Sequence, residues 1–187
     1  SAAPSRAALA LVAALAVAPW PVALAAGIEV IVDGVSGAVM DNVRAALPLR
    51  RYDSDETLSE ARIEKLHEDA GAAIRRALQP FGFYRPAIDA ELDAPREPGG
   101  SWLAHYRIER GPPLPIDGLD FTVAGPGSAD GDLRAALGQP DLVLQAPFDH
   151  QHYEGEKERL LGIAKRLGYR DARFSRHRVE VDLERYA

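Results

Sequence analysis

The side chains best suited to chemistry are few and scattered. His150 and His152 make the one close histidine pair, while His67, His105 and His177 stand elsewhere in the chain. Zinc needs three or four ligands, and a chain without cysteine supplies no thiolate to complete a set and no sulfur nucleophile. The pair is expected to mark the polar start of a helix. Glu154, Glu156 and Glu158 alternate. No helix brings all three to one face, so they are expected to be a solvated surface rather than an acid–base pair. Gly34-Val-Ser-Gly37 and Gly125-Pro-Gly127 lack the contexts of dinucleotide and phosphate loops, and there is no Gly-x-Ser-x-Gly elbow. The expectation is a protein that is not an enzyme, with no cofactor and no metal site. A periplasmic metal-dependent enzyme built on His150 and His152 is the alternative.

Charge narrows the partners. Lys and Arg number 22 against 28 Asp and Glu, a formal net charge of −6. The basic spots Arg50-Arg51, Arg75-Arg76 and Arg173 to Arg178 are local, so a nucleic-acid surface is not expected. With 47% hydrophobic and 27% charged residues the chain has the make-up of a folded protein. What remains to act on a partner is the backbone itself, and the elements that expose it become the question.

Those elements are organised around Ile74 to Ile88. An amphipathic helix ends, Phe81-Gly82-Phe83 turns the chain, and a strand begins. Glycine just past the last apolar helical residue closes a helix in the left-handed conformation without steric cost. The device returns at Leu167-Gly168-Tyr169. Gly168 follows Gly82, and Phe174 follows Ile88, at one separation of 86 residues (168 − 82 and 174 − 88). Two such units in one register indicate a repeat.

Taken in order, the chain opens with Arg6, the apolar run Ala7 to Val17, and Ala23-Leu-Ala25. Charge, apolar core and small residues predict a secretory signal over 1–26, the run being too short to span a bilayer. A first unit of β-α-α-β-β pattern is then expected over 27–113. Its pieces are a strand over Gly27 to Asp33, a helix over Ala38 to Leu47, a long helix behind the capping-box pattern Thr57-Leu-Ser-Glu60, and strands Ala87 to Leu92 and Trp102 to Ile108. Gly111-Pro-Pro-Leu-Pro115 is a stiff linker. The second unit, 114–187, is expected to repeat the strand at Leu119 to Gly125, a helix over Asp132 to Leu137, a helix N-capped by Asp149, and a strand within Ala172 to Leu183. The pattern stops there, so this unit is expected to lack its last strand.

The fold class expected is α+β: a small mixed three-stranded sheet with two helices on one face, in tandem copies. Such sheets leave edge strands whose amides and carbonyls can pair with another chain. The candidate pairing edges are Ala87, Ile88, Asp89, Ala90, Glu91 and Leu92 in the first unit, and Phe174, Val179, Val181 and Leu183 in the second.

Three stretches carry a family resemblance: Gly34 to Leu47, Leu78-Gln-Pro-Phe-Gly-Phe-Tyr-Arg-Pro86, and Tyr106-Arg-Ile-Glu-Arg-Gly-Pro-Pro113. They resemble the periplasmic N-terminus of the TamA family, outer-membrane translocation and assembly factors of the Omp85 superfamily. Tyr153 to Phe174 resembles the second POTRA (polypeptide-transport-associated) domain of that family. The resemblance implies a signal-bearing protein with three POTRA domains before an outer-membrane barrel, on the periplasmic side of the Gram-negative outer membrane. The partners implied are a TamB-like protein anchored in the inner membrane, unfolded outer-membrane or autotransporter clients, and the chain's own barrel. Another Omp85-type transporter is the alternative within this class. In POTRA sheets the third strand lies in the middle, so a second unit without it is expected to be poorly paired.

Overall fold

The computed structural model describes residues 27–52, 58–97 and 99–186. The expected export signal over 1–26 and Thr57 lie outside the described residues. β1 (Ile28–Asp33) is followed by α1 (Gly37–Ala46), a 3-10 turn (Pro48–Arg51), α2 (Glu60–Leu78), β2 (Ala87–Asp93) and β3 (Trp102–Glu109). The sheet order is β1-β3-β2, with β3 parallel to β1 and antiparallel to β2. This is the mixed three-stranded sheet expected from the sequence, the last strand of the unit lying between the other two.

Period-two alternation sorts its side chains. Along β3, Trp102, Ala104, Tyr106 and Ile108 are buried, whereas Leu103 and His105 are half-buried and Arg107 and Glu109 exposed. The register continues the inner face across the sheet: Ile28 faces Trp102, Val32 faces Tyr106, and Ile88 faces Ile108. Onto it α2 lays one stripe, Ile63, Leu66, Ala70, Ile74, Ala77 and Leu78, at the three- and four-residue spacing of a helix face. Val43, Leu47 and Leu49 complete the core. Each large aliphatic side chain so buried contributes about 2 kcal/mol. The Asn42 amide donates to the Ala77 carbonyl at 2.7 Å, fastening α1 to the last turn of α2. The helix cap differs from the expectation: α2 starts at Glu60 with Ser59 at the N-cap.

Beyond Gly111 the linker is stitched in rather than loose. Ile116 N–H donates to the Ala146 carbonyl (2.9 Å) and Gln145 N–H to that of Ile116 (2.8 Å), framing a bridge between Pro115 and Pro147. α3 (Gly131–Leu137) and α4 (His150–Arg166) follow. The Asp130 carboxylate caps the first, and Asp149 caps the second by accepting from His152 N–H at 2.9 Å, as the sequence indicated. Tyr169 O–H donates to Asp130 at 2.8 Å and ties the end of α4 to the start of α3. The apolar cluster here is small: Ile116, Leu142 and Phe148, with Leu119, Phe121 and Tyr153 against it.

Three expectations are corrected in this half. Leu119 to Gly125 forms no strand, and neither does Ala172 to Leu183. Alternation of apolar residues prepares a face, but a strand exists only when a neighbour takes up its amides and carbonyls. Neither segment has such a neighbour among the described residues. Phe174, Val179, Val181 and Leu183 therefore line no sheet edge, and Val179 and Leu183 are exposed. Glu156, expected in water, is buried. Arg159, one turn on, grips both its oxygens at 2.7 Å and also reaches the Gln139 carbonyl and Asp141. That clasp holds the α3–α4 connection over Leu142.

Candidate strand-pairing site

β2 is paired with β3 on one side only, and no strand lies beyond it among the described residues. The other edge of the sheet is less open, because the 3-10 turn Pro48–Arg51 packs against β1. Along β2 the inner positions Ile88 and Leu92 are half-buried, while Ala87, Asp89, Ala90, Glu91 and Asp93 are exposed. The alanines matter at an edge. A methyl group at Ala87 and Ala90 leaves the main chain approachable where a branched side chain would cover it.

The outer face of the sheet is polar and cross-linked. Arg107, on the central strand β3, donates to Asp89 (2.8 Å) and Glu91 (2.9 Å) on β2. Its second amino group lies 3.2 Å from His105 Nδ1, and His105 Nε2 lies 2.7 Å from the Asp33 carboxylate on β1. A guanidinium only donates, so Nδ1 accepts and Nε2–H donates to Asp33. One chain of hydrogen bonds thus crosses all three strands. Arg107 holds the Glu91 carboxyl below its usual range, first through the hydrogen bond and then through charge. At this exposure the pairs add little stability; they align β2 on β3.

On the inner face His67 of α2 stacks on Tyr106, ring centroids 5.4 Å apart at 27°, with Nδ1 3.0 Å from the phenol oxygen. Burial pushes the His67 imidazole below its ordinary value; a hydrogen bond to the Ala90 backbone and the charge of Glu68 pull the other way. Burial likewise raises the Tyr106 phenol. His67 thereby joins the main helix to the central strand β3. Sequence reading passed over it, although its place four residues after Ile63 put it beside the helix's core stripe.

The two glycine turns share a hydrogen-bond pattern. Gly82 N–H donates to Gln79 and Phe83 N–H to Leu78 (2.9 and 3.3 Å); Gly168 N–H donates to Lys165 and Tyr169 N–H to Ala164 (3.1 and 3.0 Å). The offsets are identical, and both glycines are left-handed at φ +80° and +98°. Their surroundings differ. Gly82 is buried between the halves, where Leu114 N–H donates to its carbonyl at 2.8 Å and a Cβ would run into the Phe148 carbonyl. Around Gly168 there is open space, and Leu167 is exposed. Phe81 borders a shallow hollow of about 240 Å3 shared with Asn42, Pro80, Asp149, His150 and Gln151. His150 faces Glu154 at 3.8 Å, and no three His, Asp or Glu side chains among the described residues are placed to hold a metal ion. Phe174 lies under the Lys157 ammonium, 5.9 Å from it.

Residues 29–110 match the family model for the POTRA domain, TamA domain 1. Among solved structures the chain is similar to POTRA domains 3–5 of Haemophilus influenzae BamA, at 17% identity and a TM-score of 0.33 over 76% of this chain and 51% of that one. It is also similar to Haemophilus ducreyi BamA lacking POTRA domains 1–3, at 16% identity and a TM-score of 0.36 over 73% of this chain and 23% of that one. The chain thus spans about half the length of the first and about a quarter of the second.

Proposed function

We propose, from the match of residues 29–110 to the TamA-type POTRA model, that the chain is the periplasmic, non-enzymatic interaction region of an outer-membrane translocation and assembly protein, acting by edge-strand pairing. POTRA domains of Omp85 proteins are periplasmic modules that bind protein partners. The finer reading is that an extended client segment adds itself to β2. One observation carries it: β2 is laddered on one side only, with small side chains at Ala87 and Ala90. Pairing of this kind reads main chain more than side chain, which suits a module that meets many unfolded sequences. The clients are unfolded outer-membrane proteins or autotransporters, and a TamB-like protein anchored in the inner membrane is the standing partner. Residues 114–187 share the helix–glycine–aromatic turn of the first unit, but the segment carrying Phe174, Val179, Val181 and Leu183 has no ladder to extend. Hydrogen exchange with and without an unfolded outer-membrane protein tests the mode. Added protection is expected over 87–93, and its absence there overturns edge pairing as the mechanism.

A further inference from the structure

Period-two alternation gives the β2 edge two unlike sides. Ile88 and Leu92 lean toward the helices, and Asp89, Glu91 and Asp93 all stand on the outer face. That face is acidic across the sheet: Glu29 and Asp33 on β1 and Glu109 on β3 share it, with Arg107 the one guanidinium among them. Arg107 is already engaged by Asp89 and Glu91, and Asp93 meets no cation among the described residues. Resting on the edge-pairing reading, we infer that β2 selects its incoming strand by charge. The segment it takes alternates apolar or small residues, continuing the inner face, with Lys or Arg on the outer face.

Side chains directly opposite in neighbouring strands approach closely, and opposite charges there stabilise while like charges repel. A strand laid beside β2 meets three carboxylates in succession on one face. A Lys or Arg there gains an ion pair; an Asp or Glu is repelled. A second copy's β2, paired antiparallel, sets carboxylate against carboxylate, so the stripe that admits a basic strand also keeps this edge from pairing with itself. On the inner face, Ile88 and Leu92 are only half-buried and have apolar surface left for a strand to cover. The backbone ladder supplies attachment, and the stripe supplies discrimination.

Two synthetic peptides, one alternating Val with Lys and one alternating Val with Glu, separate the ladder from the charge. Binding to the chain is followed by fluorescence anisotropy, and the bound site by hydrogen exchange. The Lys peptide is expected to protect 87–93 and to bind about tenfold more tightly than the Glu peptide, three opposed charge pairs giving that order. The ratio shrinks at high salt and in Asp93→Lys, with Asp93→Asn intermediate; neither exposed substitution touches the Arg107 bridge. A Pro in the middle of the Lys peptide abolishes binding. Equal affinities with protection at 87–93 overturn the charge selection and leave edge pairing standing. Protection at 87–93 by neither peptide, or binding unaffected by the Pro, overturns both.

Discussion

Gly82 and Gly168 do the same local work in different company, and substitution separates the two effects. Alanine in the left-handed conformation costs about 1–2 kcal/mol wherever it occurs. Gly168→Ala is expected to lose about that much, since nothing crowds the position. Gly82→Ala drives a methyl group into the Phe148 carbonyl, and a loss beyond about 2 kcal/mol is expected, measured by urea denaturation. Arg159→Ala strands the Glu156 carboxylate in a buried site, at a cost of about 3–5 kcal/mol to the second half. Arg159→Ala with Glu156→Leu should recover much of it. His67 gives the pH dependence. Its folded value lies below the unfolded one near 6.5, so the unfolded chain binds the proton first. Stability is therefore full above about pH 6.5 and falls as pH drops from there toward the lowered folded value. In His67→Phe that part of the urea-midpoint titration should flatten.

At the scale of elements, what decides behaviour is whether a backbone has partners. β3 is laddered on both sides and buried on its inner face, so its amides should exchange slowest. β2 has one ladder. The segment 173–183 has none, and its amides should exchange within the dead time of a manual hydrogen-exchange experiment, although Val179, Val181 and Leu183 alternate as well as Ile28, Val30 and Val32 do. Slow exchange there would mean that the segment pairs with another strand. The comparison between the two segments isolates pairing from propensity, because their sequence patterns are alike and their neighbours are not. The charged outer positions of β2 belong at this scale too: they are one property of a strand, produced by alternation, rather than three separate sites.

Across the whole molecule, the two halves have unequal cores. The first buries a continuous cluster from Ile28 to Ile108; the second has a small cluster of Ile116, Leu142 and Phe148, with Leu133, Leu160 and Ala164 buried apart from it. Hydrogen exchange in mild denaturant should open α3 and α4 at lower free energy than α2. The proline linker is stitched to both halves through Leu114, which meets Gly82 on one side and Phe148 on the other. Much of this was legible beforehand. Helix stripes, the caps at Asp149 and at the two glycines, and the alternation of β3 are local or periodic properties, and periodicity is written along the chain. Three matters were settled only by tertiary contact. Glu156 is buried and held by Arg159, which also reaches Gln139 and Asp141; Leu119–Gly125 and Ala172–Leu183 stay unpaired because no strand reaches them among the described residues; and the outer face of β2 acquires its character because Arg107 engages Asp89 and Glu91. Side-chain spacing fixes which face a residue takes, but burial and pairing depend on what distant chain arrives there, and that is a property of the folded assembly of elements.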